Sequence, residues 1–286
     1  MVQSSMTPFP DTKFLLRQLG ANPASLLGTW YYTVVRDYSR RQLTVSEDKL
    51  PALSGLAQIM AATIKSRYVA GMWEANLDRT LCWIGVESVS PKSHNSSPSF
   101  SWASRDGEVT WLWHVASESF RPSIDITQIS LEPASCDPYG RVIAGGWLQV
   151  SGYVSMAPRV FNSLNEDTAS HTVAFRNFAG NLREGSLVDL AESYMYLDDI
   201  PLAGHLTSLY TLEVGNGHQS FSIHGYDDTR ACVGFLLLEA MSEVPDSFRR
   251  VGIGYTRVGR DELKSENITK LSIYRQSCKW RTIKIY

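Results

Sequence analysis

The 286-residue chain is poor in cysteine, with Cys82, Cys136, Cys232 and Cys278 only. No two of them are spaced as a CxxC redox pair or a zinc pattern, so neither a disulfide framework nor a metal site is expected. Charge of one sign is lacking too, the formal net charge being −2. A nucleic-acid partner would need a basic excess on one face, and none is expected here. Arginine and lysine gather in residues 36–41 and 275–284. There they alternate with apolar residues, as solvated positions beside buried ones do. Apolar runs stay well below the roughly eighteen residues of a membrane span. The opening MVQSSMTPFPDTKFLLRQLG has no basic segment followed by an apolar stretch, so no secretory signal is read. These absences predict a soluble, cytoplasmic protein with reduced thiols and no membrane partner. The Asn95-Ser96-Ser97 and Asn267-Ile268-Thr269 sequons are then chance matches.

Familiar catalytic signatures are missing as well. Leu53-Ser54-Gly55 lacks the first glycine of a nucleophile elbow and lies in a helical pattern. Residues 140–146 are glycine-rich but no helix follows, which excludes a phosphate-binding loop. No cofactor is expected.

What is present is a globular composition, 43% hydrophobic and 20% charged. The length allows one large domain or two small ones. We read a single domain, 1–286, with a helical part at 30–86 and a β-rich part at 105–286. Trp30, Tyr31, Val34, Val35 and Tyr38 recur at helical steps. So do Leu50, Leu53, Leu56, Ala57, Met60, Ala61 and Ile64, behind a cap at Ser46 or Asp48 and a first-turn Pro51. Residues 68–81 give a third helix candidate through Val69, Met72, Trp73 and Leu77. Residues 87–101 and 162–170 read as loops.

Beyond them come short runs rich in β-branched and aromatic residues: 109–115, 124–131, 142–154, 206–214, 221–224, 233–238, 250–255 and 271–274. Several alternate apolar with polar, as half-buried antiparallel strands do. Turn signals stand at 137–140, 215–217 and 244–246, and Gly145, Gly146 and Gly152 suggest bulges. The expected fold is mainly β with an N-terminal helical layer (α+β), an antiparallel sandwich or barrel.

Few residues carry chemistry. His218 and His224 flank a predicted strand and Asp227 follows, so the three would meet at one sheet end and hold a divalent metal or act as acid and base. The spacing matches no zinc motif, and surface histidines beside a glycine-rich turn are the plainer reading. His114 alternates with Trp111 and Trp113 on a predicted strand and is a second candidate base. Asp198-Asp199 is an acidic pair. Adjacent strand residues face opposite ways, so a turn is the simpler account.

Residues 32–57, YTVVRDYSRRQLTVSEDKLPALSGLA, resemble the run that follows the HET domain in fungal heterokaryon-incompatibility proteins. Tyr38, Ser39, Arg41, Leu43, Thr44 and the stretch 48–57 match it. Tyr68-Val69-Ala70-Gly71-Met72-Trp73 is similar to that family's YLAGLW, and Leu81-Cys82-Trp83 to its LLW. Ser101-Trp102-Ala103-Ser104 resembles part of PSWSWAS, with Phe100 where tryptophan is usual. Residues 234–252 are similar to its closing strand pair. The likeness covers about residues 30–255 in order. About thirty residues precede Trp30, fewer than the HET domain that supplies the effector activity, so the resemblance implies ancestry and a scaffold.

Asp48 as a helix cap, Trp73, Trp102 and Arg250 are then scaffold residues. Arg41 or Arg250 is expected to pair with Asp37 or Asp48. Two function classes follow. One is a non-catalytic interaction or regulatory protein with an unknown protein partner. The other is a small-molecule enzyme or accessory protein of fungal secondary metabolism, for example a cyclisation catalyst with an aromatic pocket. A deep enclosed cavity would favour the second, and a solid core with an exposed apolar patch the first.

Overall fold

The computed structural model describes residues 22–41, 43–85, 90–91, 97–114, 117–156, 172–175, 193–198, 209–223, 226–258, 275 and 278–286. Helix α1, Pro23–Thr29, starts with proline in its first turn, and the Asn22 side chain accepts from the Ser25 amide at 2.9 Å. It widens into a π-helical stretch, Trp30–Val35, and closes as α2, Arg36–Ser39. Trp30, Tyr31, Val34 and Val35 are all buried, which accounts for the dense aromatic pattern.

A 3-10 turn, Ser46–Lys49, leads into α3, Pro51–Ile64. Pro51 takes its expected first-turn place, but no side chain caps the helix. Asp48 belongs to the preceding 3-10 turn and is exposed, so its expected capping role is not found.

The third helix expected at 68–81 is mostly something else. Strands β1, Tyr68–Val69, and β2, Met72–Trp73, form a tight hairpin. Its turn puts Ala70 at φ 45° and Gly71 at φ 94°, a conformation that stops a helix. Only α4, Leu77–Thr80, is α-helical there, after a 3-10 turn. Strand β3, Trp83–Gly85, pairs with β6, Val109–Trp111, while β4, Ser90–Pro91, pairs with β5, Arg105–Asp106.

The β-rich part holds β7 (Arg121–Pro122), β8 (Ile124–Ser130), β9 (Trp147–Met156), β10 (Thr172–Phe175), β11 (Ser193–Leu197), β12 (Leu209–Ile223), β13 (Tyr226–Ala240), β14 (Ser247–Val258) and β15 (Lys279–Ile285). The expected α+β fold is what is seen, and the β part is a closed five-stranded barrel rather than a sandwich. The circuit runs β9, β12, β13, β14, β15 and back to β9. Every pairing is antiparallel except β14 with β15. Strand β8 extends it beside β9, β7 beside β12, and β11 then β10 beside β14.

The turn expected at 215–217 lies inside one continuous strand instead. Gly215 follows a register shift after Glu213. A Cβ on Gly215 would stand 2.6 Å from the Arg121 carbonyl oxygen and 2.7 Å from the Phe120 ring. The glycines there make room for a crossing segment, not a reversal. The turn at 137–140 is real, with the Gly140 amide donating to the Asp137 carbonyl at 3.3 Å. The expected strand at 271–274 falls outside the described residues.

Leu148, Val150, Val154, Leu212, Leu236, Leu238, Ile253, Ile283 and Ile285 line one face of the barrel strands. They belong to the same buried cluster as Trp30, Trp73, Trp83, Trp102 and Trp113. Layer and barrel therefore share a continuous core.

Candidate functional site

The family-like blocks converge on the β1–β2 hairpin. The indole N–H groups of Trp30 and Trp102 both donate to the Gly71 carbonyl at 3.0 Å. The Ser101 hydroxyl donates to the Ala70 carbonyl at 2.6 Å, and the Trp73 amide to the Tyr31 hydroxyl at 2.9 Å. A Cβ on Gly71 would lie 2.5 Å from Trp102 Nε1, so glycine is needed for space as well as for its φ. Trp83 Nε1 donates to the Phe100 carbonyl at 2.9 Å and Trp111 Nε1 to the Thr80 carbonyl at 3.0 Å. Indoles turned onto backbone carbonyls satisfy both partners in a dry interior.

Arg250 ties this layer to the barrel. It is fully buried on β14. Its guanidinium donates to the Leu81 carbonyl at 2.8 Å and the Trp83 carbonyl at 2.6 Å, and stacks 3.5 Å above the Trp83 ring. Asp198, just past β11, supplies the countercharge with Oδ2 3.2 Å from Nε. Burial pulls the Arg250 pKa down, and Asp198 opposes that shift. The expected partners Asp37 and Asp48 are therefore not those of Arg250. Arg41 does meet Asp37, at 2.9 Å, and Arg40 joins it at 2.7 Å. Asp199 lies outside the described residues.

Of the expected site His218, His224 and Asp227, the structure separates His218 from Asp227. His218 sits within β12, exposed, its amide donating to the Ser119 hydroxyl at 3.0 Å. Asp227 is opposite Ser222 in the β12–β13 register. Four residues separate Ser222 from His218, about 13 Å along a strand. His224 lies outside the described residues. His114 is beyond the end of β6, exposed and stacked on Tyr32 with ring centroids 4.6 Å apart. Its expected strand position fails because Trp111, Leu112 and Trp113 are all buried, without alternation. Among the described residues no group of three or more His, Cys, Asp or Glu is placed to hold a metal. No described helix is long and apolar enough to cross a membrane.

Two further features escaped the sequence reading. Glu213 is completely buried on β12, where Arg275 clamps it through Nη2 at 2.7 Å and Nε at 3.2 Å. The Ser123 hydroxyl donates to the same carboxylate at 2.7 Å and accepts from Arg275 at 3.0 Å. The bond to Glu213 raises the Arg275 pKa. This triangle of serine, carboxylate and guanidinium is closed and charge-neutral, and its hydroxyl is held at both ends. The signal was a lone glutamate between Leu212 and Val214 in an apolar strand.

The other feature is an arm, residues 131–142, joining β8 to β9. Bonds from the Ala134 amide to the Arg141 carbonyl and from the Ile143 amide to the Glu132 carbonyl, both 2.8 Å, stiffen it. Arg141 pins it to Glu47 at 2.7 Å. A cleft of about 260 Å³ lies on one side, walled by Glu47, Asp48, Asp137 and Arg141. On the other side a cleft of about 330 Å³ lies between the arm and the β1–β2 hairpin, walled by Arg67, Tyr68, Leu131, Pro133, Tyr139 and Val142.

The geometry thus offers a carbonyl-anchored aromatic scaffold, a buried arginine tie and half-open clefts beside one arm. Comparison with protein-family models, characterised proteins and solved structures returned no match.

Proposed function

We propose that the chain is a non-catalytic interaction or regulatory protein of the heterokaryon-incompatibility kind, acting in the cytoplasm of a filamentous fungus. The observation that supports this reading most is how the barrel is filled. Leu148, Val150, Leu212, Leu236, Leu238, Ile253 and Ile285 are essentially inaccessible, and Val154 and Ile283 nearly so. A Cβ on Gly152 would already stand 2.7 Å from Leu212 Cδ1. Among the described barrel residues, space for an enclosed reaction chamber is thus taken by side chains. Of the tryptophans in the family-like blocks, Trp83 and Trp102 are engaged in bonds to carbonyls and Trp73 in packing alone.

Apolar surface is instead turned outward on the barrel wall. Trp280 on β15 is 50% exposed and packs edge-on to Tyr153 of β9, while Met156 is 62% exposed. Exposed aromatic and methionine side chains suit a contact face. The test is expression of the parent and of Trp280→Ala in a filamentous fungus, scored for growth arrest on fusion with a non-self strain. The parent is expected to alter the response, and the variant, folded equally well, to lose that effect. Multiple-turnover conversion of a fungal metabolite by the purified protein would contradict the reading. A second reading, a small-molecule protein of secondary metabolism, draws on the 330 Å³ cleft alone.

A further inference from the structure

We infer that the cleft between the β1–β2 hairpin and the 131–142 arm binds a small organic acid, with its apolar body under Tyr139 and its carboxylate on Arg67. Three observations carry this. The first is size: about 330 Å³ is at the lower end of small-molecule sites and fits a single ring or a short chain. The second is lining. Leu131, Pro133, Pro138 and Val142 present apolar atoms, and Tyr139 stands edge-on to Tyr68 with centroids 5.5 Å apart. An aromatic wall of this kind takes an apolar or planar body without needing a directional partner.

The third is charge. Arg67 at the mouth is exposed and meets no carboxylate among the described residues. Its Nη1 donates to the Ile129 carbonyl at 3.2 Å, which holds the side chain beside the cleft and leaves the rest of the guanidinium fork for a ligand. The contrast lies across the same arm. Arg141, beside the smaller cleft, is already paired with Glu47, so that cleft offers an anion no free cation. The walls are also preformed. The hairpin is anchored through Ala70 and Gly71 to Ser101, Trp30 and Trp102. The arm is braced by its own bonds, including the Tyr139 amide onto Asp137 Oδ1 at 2.9 Å. A ligand therefore orders little chain on binding.

The full chain would be titrated with phenylacetate, hexanoate and the neutral phenylacetamide, with saturation-transfer NMR for binding and thermal melts for folding. Phenylacetate is expected to saturate with a Kd on the order of 1 mM. Phenylacetamide should bind at least about tenfold more weakly, since it lacks the charge-assisted bond to Arg67. Arg67→Gln should weaken phenylacetate by a similar factor with an unchanged melting temperature. Tyr139→Ala should weaken both acids, and His218→Ala neither. If neither acid saturates below about 10 mM, or if Arg67→Gln binds phenylacetate as tightly as the parent, the inference is overturned.

Discussion

The aromatic layer and the barrel are held together by different means, although they share one core. In the barrel, polar backbone groups meet in ladders, the longest running along β12–β13 and β13–β14. Apart from Glu213 and Arg250, the buried side chains of the barrel strands named above mainly fill space, and many residues share that task. In the layer, ladders are short, with two or three residues a strand. Carbonyls left over are met by single side chains: Trp30 and Trp102 on Gly71, Trp83 on Phe100, Trp111 on Thr80, Arg250 on Leu81 and Trp83. A fold held this way depends on individual residues, because losing Trp83, Trp111 or Arg250 removes the side-chain donor from a buried carbonyl, while the Gly71 carbonyl keeps one of its two.

The largest losses are therefore expected in the layer and at its tie. Trp102→Ala should cost about 3–5 kcal/mol in urea unfolding, from lost volume and a lost donor. Arg250→Met should cost a similar amount, about 3–5 kcal/mol, because it removes the countercharge 3.2 Å from the buried Asp198 carboxylate. Adding Asp198→Leu should recover much of that loss, a sign that the lost countercharge causes it. If the double variant is as unstable as the single one, the Arg250 bonds to carbonyls outweigh the ion pair.

Gly71→Ala should come next, at about 1–3 kcal/mol, since its Cβ would collide with Trp102 at a positive φ. In the barrel, Ile283→Val should cost only about 0.5–1.5 kcal/mol. An Ile283→Val loss matching that of Gly71→Ala would erase the contrast. His218→Ala, on the exposed face of β12, should stay within about 0.5 kcal/mol.

Alkaline pH should sharpen the same comparison with a smaller effect. Burial raises the Tyr38 pKa to about 12 and pushes those of Tyr31 and Tyr68 higher still. Unfolded tyrosine releases its proton near pH 10. Above that the folded state binds more protons than the unfolded state, so stability should be full below about pH 10 and fall as pH rises toward 12. Tyr68→Phe should flatten that fall. It should not destabilise the protein at neutral pH, because the buried Tyr68 hydroxyl has no hydrogen-bond partner among the described residues.

Periodicity made parts of this structure legible. The step of three and four through Trp30, Val34 and Tyr38 marked a buried helical face, and Pro51 marked the start of α3. Alternation and β-branched residues marked β8, β9 and β13. What periodicity could not show was where the chain turns. Met72, Trp73 and Leu77 satisfy a helical step, yet Ala70 and Gly71 reverse the chain because Trp30 and Trp102 bond to the Gly71 carbonyl. Gly215 and Gly217 carry the composition of a turn, yet they stay extended to admit Phe120 and Arg121. Partners distant in sequence hid the charged contacts as well. Nothing local pairs Arg250 with Asp198, or Glu213 with Ser123 and Arg275. His218 and Asp227 do not meet, because His218 lies inside β12 rather than at a strand end and the β12–β13 register spreads the two along the sheet.

The claim that layer and barrel stand as one unit through their common core is tested most directly by equilibrium urea unfolding followed with two probes. Tryptophan fluorescence reports the layer, which holds six of the eight tryptophans, and far-UV circular dichroism reports the barrel strands. The account predicts a single transition with coincident midpoints for the parent. A fluorescence transition that precedes the dichroism transition in the parent would contradict it.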